Sequence, residues 1–196
     1  MRSSRTTSTP GRPLRVRFAT GNPGKFREAK ELLAPYGVRL LWSRRPLVEV
    51  QADGLEEVVR AKLGSLPARG GWDLVEDSGL FLPGLGGFPG VYSSYIYRIW
   101  GLDPILELLR RRPRAAVFRT VAGLRRGRVT RLFSGECPGE IVPRARGTGG
   151  FGFDPVFRPK GDSRTFAEMT TAEKNRFSHR ARALAKAGRF LAKVSA

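Results

Sequence analysis

The 196-residue sequence predicts an α/β fold built on a mixed β-sheet. Segments with the period-two hydrophobicity of strands are interspersed with segments of helical spacing, which is typical of a sheet covered by helices. A glycine turn between two longer strand-like segments predicts a β-hairpin, and therefore at least one antiparallel pair. Both observations together favour a mixed sheet over a purely parallel one.

The first half of the chain contains two predicted strand–helix units. In residues 14–20 apolar side chains alternate with arginines, which predicts a strand with one buried face. A glycine turn follows, and residues 25–33 have the apolar spacing of a helix that ends before Pro35. Residues 38–42 predict a second strand, and residues 54–66 place their apolar side chains on one face of a second helix.

The second half contains a third strand, a short helix and the hairpin. The apolar pair at residues 74–75 predicts a strand that ends as the chain enters residues 76–79. After a glycine- and proline-rich stretch, residues 104–111 predict a short helix. Residues 115–124 and 129–136 predict the two hairpin strands, because the turn between them contains a single glycine.

A loop and one long helix are predicted at the end of the chain. Residues 144–150 are rich in glycine and arginine, and we expect a mobile loop there. Thr170 and Glu173 have the spacing of a capping box, which marks the start of a helix. Apolar residues continue on one face from Phe177 to Val194, so we expect a single terminal helix.

The composition predicts a basic cytoplasmic protein. Its 36 lysines and arginines against 17 acidic residues give a formal net charge of +19, which attracts nucleotides or nucleic acid. Residues 1–13 contain no acid and resemble a disordered basic tail, which leaves residues 14–196 as one domain. The single cysteine, Cys137, favours a reducing compartment. No segment has the roughly 18–20 consecutive apolar residues of a membrane helix, so we expect no membrane partner.

The glycine turn before the first helix is a candidate phosphate-binding site. Residues 20–25 read Thr-Gly-Asn-Pro-Gly-Lys and lie where the first strand ends. Free backbone amides and the helix dipole favour phosphate at such a position, and Lys25 adds a positive charge. The spacing differs from that of the P-loop, so a P-loop ATPase is not indicated. Taken alone, such a turn is more often structural.

Carboxylates after the third predicted strand are a candidate metal site. Glu76, Asp77 and Ser78 follow that strand, and Glu49 is available from an earlier segment. Magnesium at phosphoryl sites typically takes one or two carboxylates together with substrate oxygens. An isolated Asp-Ser-Gly sequence, however, is more often a turn or a helix cap.

Residues 151–154, Phe-Gly-Phe-Asp, are a candidate site for a nucleobase. An aromatic ring can stack on a base, and a neighbouring carboxylate can accept a hydrogen bond from a ring nitrogen. The same two rings are equally typical of a packed core.

Lys174, Ser178, His179 and Arg180 supply donors near the start of the predicted terminal helix. Lys174 and Ser178 are four residues apart and would share a helix face. A triphosphate or a keto oxygen needs such donors, although a basic chain carries lysine and arginine on any helix. His179 is the only histidine, which excludes a zinc site of clustered histidines.

Six segments, in order, resemble the inosine triphosphate pyrophosphatase family, whose members hydrolyse noncanonical purine nucleoside triphosphates. These segments are residues 20–25, 76–80, 87–93, 150–157, 166–169 and 173–180. The resemblance extends from about residue 14 to the C-terminus, and the Gly-Phe-Pro-Gly-Val-Tyr-Ser and Phe-Ala-Glu-Met segments are most similar to archaeal members.

The resemblance implies a central mixed sheet flanked by helices, two lobes with a nucleotide cleft between them, and a homodimer. For the triphosphate it implies Thr20, Gly21, Asn22, Pro23, Gly24 and Lys25. For the remainder of the substrate it implies Ser78, Phe151, Gly152, Phe153, Asp154, Lys174, His179 and Arg180. Phe153 departs from the Tyr or Trp that is frequent at this position, so a side-chain donor is absent there.

The chemistry implied by the resemblance is magnesium-dependent hydrolysis of the α–β phosphoanhydride. Asp77 and Glu49 would hold Mg²⁺, and a water activated near Asp77 would attack the α-phosphorus and release pyrophosphate. Lys25 would stabilise the developing charge. A 6-keto oxygen accepts where the amino group of adenine donates, so ITP, dITP and XTP would be preferred over ATP, with Lys174, Arg180 and nearby backbone amides as candidate donors. Guanine also carries a 6-keto oxygen, so the expected preference over GTP depends on its 2-amino group.

Two alternatives remain open from the sequence. A pyrophosphatase of the Maf type has a similar general architecture but favours other modified nucleotides. A basic nucleic-acid-binding module would account for the arginine runs at residues 110–112 and 125–131.

Overall fold

The computed structural model describes residues 13–195, in which seven strands form one sheet. The strands are β1 (Leu14–Ala19), β2 (Val38–Ser43), β3 (Trp72–Phe81), β4 (Pro89–Gly90), β5 (Ala115–Arg126), β6 (Val129–Ile141) and β7 (Phe157–Pro159). The helices are α1 (Pro23–Leu33), α2 (Leu55–Gly64), α3 (Ser93–Trp100), α4 (Asp103–Leu108), α5 (Thr171–Phe177) and α6 (His179–Lys193). Of the predicted basic tail, residues 1–12 lie outside the described part.

The sheet is mixed and flanked by helices, which confirms the predicted fold class. Its strand order is β2-β1-β3-β5-β6-β7, and β4 pairs with β3 on the side of β1. β1 runs parallel to β2 and β3, whereas the remaining pairs are antiparallel. The predicted hairpin is present as β5 and β6, and Gly127 adopts φ 58° in its turn, a conformation that glycine adopts without steric cost.

The predicted end of the third strand is wrong. Residues 76–79 lie inside β3, because β3 pairs with β5 from Asp73 to Phe81. On the opposite side, β3 pairs with β1 up to Leu74 and with β4 from Leu80. Residues 75–79 therefore border a gap in the described sheet, beside the point where β1 ends. The pairing with β5, rather than the two apolar residues, sets the length of β3.

The predicted single terminal helix is also wrong. Ser178 has extended backbone angles, φ −66° and ψ 146°, and separates α5 from α6. Its hydroxyl accepts a hydrogen bond from the backbone of Ala181 at 3.1 Å and so caps α6. Lys174 and Ser178 therefore do not share one helix face. The capping box of Thr170 and Glu173 is confirmed at the start of α5.

Helix α3 falls in a stretch for which the sequence patterns predicted no element. Its eight residues read Ser-Ser-Tyr-Ile-Tyr-Arg-Ile-Trp, and aromatic and β-branched residues have only modest helix propensity. No helix within residues 13–195 combines the length and apolar character needed to cross a bilayer.

Apolar side chains form three clusters around the sheet. One lies among β1, β2, α1 and α6 and includes Phe18 and Leu184. A second includes Phe118 and Phe157 on β5 and β7, and a third lies beneath α2. The residues that line the cleft described below come from segments packed on all three clusters.

Candidate active site

A cleft of about 750 Å³ opens at the gap beside β3. Among the residues predicted to form the site, those that line it are Thr20, Gly21, Asn22, Lys25, Glu49, Asp77, Ser78, Phe151, Gly152, Phe153, Asp154, Lys174, His179 and Arg180. Pro23 and Gly24 do not line the cleft. The structure therefore brings together segments that are up to about 160 residues apart in the chain.

Pro23 and Gly24 instead form the first turn of α1. Asn22 caps this helix, because its Oδ1 accepts a hydrogen bond from the backbone of Lys25 at 3.1 Å. A Cβ atom at Gly24 would lie 2.7 Å from the ring of Phe151. Gly24 thus serves the site indirectly, since the absence of a side chain lets Phe151 approach the helix.

The turn between β1 and α1 is held in place by hydrogen bonds. Thr20 Oγ1 accepts from the backbone of Asn22 at 3.1 Å, and Trp42 Nε1 donates to the carbonyl oxygen of Thr20 at 2.8 Å. The turn consequently stands at the N-terminus of α1, where unpaired amides and the helix dipole favour an anionic group.

Glu76, which points into the cleft from β3, is a buried carboxylate that pairs with two cations. Lys25 Nζ lies 3.0 Å from its Oε1, and Arg180 donates from Nε and Nη2 to its two oxygens at 2.7 and 3.0 Å. Burial raises the pKa of Glu76, but Arg180 and Lys25 outweigh burial and lower the pKa to about 2. Glu76 is therefore ionised at neutral pH.

Glu28, on α1, is a second buried carboxylate between two cations. Lys174 Nζ donates to its Oε1 at 2.9 Å, and Arg180 Nη1 donates to its Oε2 at 2.5 Å. Lys174 also donates to Asp154 Oδ2 at 2.7 Å. Burial raises the pKa of Glu28, yet the two cations bring the pKa below its ordinary value. For Asp154 burial prevails, and its pKa is raised.

These contacts form one buried ionic chain of alternating sign. Its members, in order, are Lys25, Glu76, Arg180, Glu28, Lys174 and Asp154. Three cations and three carboxylates balance one another when all are ionised, which is how charged groups are tolerated in a buried site.

Asp77 and Glu49, the predicted metal ligands, lie on either side of a buried lysine. Lys62 Nζ is 2.5 Å from Asp77 Oδ1 and 3.3 Å from Glu49 Oε1. Burial lowers the pKa of Lys62, but the carboxylates of Asp77 and Glu49 raise this pKa by more than burial lowers it. The net shift is upward, so the ammonium stays charged. The Glu49 side chain is 78% exposed, which leaves it free to move toward a ligand.

The predicted base-binding segment contributes one buried and one accessible ring. Phe153 is 3% exposed and makes an edge contact with Tyr97, whose ring centroid is 5.6 Å away. Phe151 is less buried, and Lys174 Nζ lies 4.8 Å from its ring centroid. Tyr92, at the start of α3, also lines this part of the cleft. The slot is thus lined by the aromatic rings of this segment and of Tyr92, together with the ammonium of Lys174.

His179 lines the same slot as a buried neutral imidazole. Its ring stacks on Phe118 with a centroid distance of 4.5 Å. Burial, followed by the nearby cations Arg180, Lys174 and Lys25, holds the pKa of His179 well below 6.5. Within residues 13–195, His179 Nδ1 has no hydrogen-bond partner.

A family model described as the Ham1 family matches residues 16–190. The chain belongs to the Ham1 family. This result confirms the family that the six sequence segments resemble. It also accounts for the order in which the cleft residues occur along the chain.

Curated relatives and solved structures of similar chains agree with this membership. A protein of Thermococcus kodakarensis named dITP/XTP pyrophosphatase is 47% identical over 173 residues, which cover 87% of this chain and 94% of the relative. A protein of the same name from Saccharolobus solfataricus is 43% identical over 183 residues, 92% of this chain and 95% of the relative. The structure of a HAM1 protein from Coxiella burnetii has a TM-score of 0.81 and 29% identity, covering 92% of this chain and 99% of that chain.

The sequence prediction missed two charged residues of this Ham1-family site: Lys62, which lines the cleft, and Glu28, which is buried behind it and pairs with Lys174 and Arg180. Lys62 falls on the helix face shared by Val58, Val59 and Leu63, so a lysine interrupting an apolar stripe was the available signal. Glu28 follows Lys25 by three residues and lies beside it on α1. Nothing local indicates the partners of Glu28, because they belong to α5 and α6.

Proposed function

We propose that this Ham1-family protein hydrolyses the deaminated purine nucleotides ITP, dITP and XTP to the nucleoside monophosphate and pyrophosphate. The observation that carries the proposal is that one cleft holds the β1–α1 turn, the Asp77–Lys62 pair and the slot at Phe151. These three parts match the polyphosphate, the reacting phosphorus and the base of a nucleotide. Relatives that share 47% and 43% of their residues carry the name dITP/XTP pyrophosphatase.

The proposed reaction is attack of a water on the α-phosphorus. Asp77 would take the proton of that water as the new phosphorus–oxygen bond forms, and the α–β bond would break to release pyrophosphate. Lys62 Nζ contacts Asp77 Oδ1 at 2.5 Å and would hold this carboxylate in position for the proton transfer. Lys25, at the end of the turn, would neutralise charge that develops on the leaving phosphates.

We also propose that Mg²⁺ assists this reaction, held by Asp77 and Glu49. Lys62 Nζ contacts Asp77 Oδ1 and Glu49 Oε1, so the other oxygen of each carboxylate would be the one that binds the ion. Within residues 13–195 no three His, Cys, Asp or Glu side chains form a cluster that could hold a metal. Substrate phosphate oxygens would therefore complete the coordination, as is usual for this ion. Bound there, Mg²⁺ would supply a Lewis acid that neutralises phosphate charge.

Selectivity is proposed to depend on donors that the ionic chain leaves free. A lysine ammonium has three N–H groups, and Lys174 directs two of them to Glu28 and Asp154. Arg180 has five N–H groups and makes four hydrogen bonds, to Glu76, Glu28 and Ser78. Each cation thus retains one N–H group that can donate a hydrogen bond to a 6-keto oxygen. The 6-amino group of adenine is itself a donor and cannot accept this hydrogen bond.

A pyrophosphate-release assay tests the proposed function. We expect hydrolysis of ITP, dITP and XTP well above that of ATP and GTP, and a loss of turnover when Mg²⁺ is removed with a chelator. Equal rates on all five nucleotides would contradict the selectivity. Preference for other modified nucleotides would instead favour the Maf-type alternative.

A homodimer is proposed through the outer face of α3. Ile99 and Trp100 on this helix are 55% and 46% exposed and do not line the cleft, which makes an apolar patch of the kind found at subunit interfaces. Light scattering should show a dimer for the wild-type protein and a monomer for Ile99→Glu.

An enzyme that acts on the free nucleotide pool would work in the cytoplasm.

One observation supports nucleic-acid binding as an additional role of this protein. A groove between β6 and α6 is lined by Arg182, Lys186 and Arg189. The nearby acid Glu136 is paired with Arg119 at 3.0 Å, so the groove is effectively basic. Binding of duplex DNA that weakens steeply with salt, and weakens further in Arg182→Glu/Arg189→Glu, would support this role.

A further inference from the structure

Glu28 lies in the ionic chain between Arg180 and Lys174. The residue is 6% exposed, and each of its carboxylate oxygens accepts a hydrogen bond from a different cation, Lys174 or Arg180. These cations come from two different helices, α5 and α6, which are separated by the extended residue Ser178. Glu28 is therefore the carboxylate that joins both candidate keto donors.

Without Glu28, the two donors would be poorly constrained. Lys174 would retain Asp154, and Arg180 would retain Glu76, but nothing described would tie one cation to the other. Two like charges in a buried slot repel, and flexible side chains separate when that repulsion is not offset. The spacing between the two donors that face a base depends on their shared acceptor.

We propose that Glu28 is a positioning residue that sets base selectivity, by holding Lys174 and Arg180 at a fixed separation and by balancing their charge. This inference rests on the proposed function and deepens it. The residue acts through two others and need not touch the nucleotide. Its position on α1, three residues after Lys25, also connects the base slot to the phosphate-binding turn.

The charge balance leads to a specific consequence for the choice of base. With three cations facing three carboxylates, the slot suits a neutral keto base such as hypoxanthine. Xanthine carries a second keto oxygen and loses a proton near neutral pH. Replacing Glu28 with an uncharged residue leaves one excess positive charge, which favours the anionic base over the neutral one.

The experiment compares Glu28→Gln with the wild-type protein and with Glu31→Gln. Glu31 lies on the same helix but is exposed, so its variant controls for loss of a negative charge on α1. For Glu28→Gln we expect kcat/KM for ITP relative to ATP to fall roughly tenfold, chiefly through KM, because one charged hydrogen bond is lost. The ratio of kcat/KM for XTP to that for ITP should rise severalfold. Glu31→Gln should leave both ratios unchanged.

Two further variants separate charge from geometry. Glu28→Asp keeps the charge but shortens the side chain, so it should lower discrimination against ATP while leaving the XTP-to-ITP ratio near that of the wild type. Glu28→Gln/Lys174→Gln removes one charge of each sign, so its XTP-to-ITP ratio should return toward the wild-type value.

Unchanged ratios in a Glu28→Gln protein with wild-type circular dichroism would overturn the proposal. If that variant does not fold, an unaltered ITP-to-ATP ratio in Glu28→Asp would overturn it instead. A wild-type protein that does not hydrolyse ITP would contradict the proposed function itself, which keeps the two failures distinct.

Discussion

Asp77 is the residue on which the proposed chemistry depends most directly. It lies on β3 at the gap in the sheet, and one of its oxygens accepts a short hydrogen bond from Lys62. The side chain is 13% exposed, so the cleft reaches it. A carboxylate that a buried ammonium holds at the edge of the cleft is placed to accept a proton from water.

Replacing Asp77 with Asn should lower kcat by about 10²–10⁴, the usual contribution of a general base. The amide has the same size and can still accept a hydrogen bond from Lys62, so the fold should be retained. Steady-state kinetics with ITP would measure the effect, and Asp103→Asn, at an exposed site on α4, is the control. Near-normal turnover by Asp77→Asn would remove this residue from the mechanism.

Among the secondary-structure elements, the cleft exists because β3 extends beyond the point where its pairing with β1 ends. The two strands pair from Val16 to Phe18 on β1, and β4 takes over on the same side from Leu80 of β3. Between these two pairings, this edge of β3 has no partner in the described sheet, and Glu76, Asp77 and Ser78 line the cleft there. The close approach of β4 to β3 is therefore part of the architecture of the site.

Gly79 permits this close approach. A Cβ atom at Gly79 would lie 2.3 Å from the carbonyl oxygen of Gly90 on β4, so the strands would have to separate. We expect Gly79→Ala to lower the free energy of unfolding by about 1–3 kcal/mol, as overpacking does. At Gly64, on α2, a Cβ atom would meet nothing within 4 Å, and Gly64→Ala should be neutral or stabilising. Equal effects of both substitutions in chemical denaturation would contradict this account.

At the scale of the whole molecule, buried ionisable groups make stability depend on pH. His179 is neutral in the folded protein because its pKa lies well below 6.5, whereas the unfolded chain takes up a proton near pH 6.5. Its contribution is therefore fully present above about pH 6.5 and is lost as the pH falls. Glu76, with a pKa of about 2 against 4.5, adds a further loss as the pH falls from about 4.5 toward 2.

The free energy of unfolding should decrease between pH 7 and pH 5, by at most about 1.4 kcal/mol per pH unit for each group that titrates. Urea denaturation at a series of pH values measures this slope. His179→Gln should give a visibly flatter slope over this range, because the substituted residue does not titrate. The same slope in both proteins would mean that the pKa of His179 is the same in the folded protein as in the unfolded chain.

Local patterns were sufficient for most of the fold. The hairpin, the helix after the glycine turn and the capping box at Thr170 each depend on neighbouring residues, and all three are confirmed. The predicted end of β3 was wrong because the partner strand β5 sets it, and Phe81 at that end pairs with Val117, 36 residues further along the chain. The single terminal helix was wrong because one extended residue, Ser178, interrupts the helix without disturbing its apolar spacing.

Order and spacing along the chain are sufficient to identify the family and the types of residue at the cleft. Which charges meet is fixed only when distant segments pack together. Glu28 lies 146 residues from Lys174 and 152 residues from Arg180, and its role is visible only where α1, α5 and α6 pack together. The physical reason is that Coulombic attraction and burial depend on distance in space, and a linear pattern records neither.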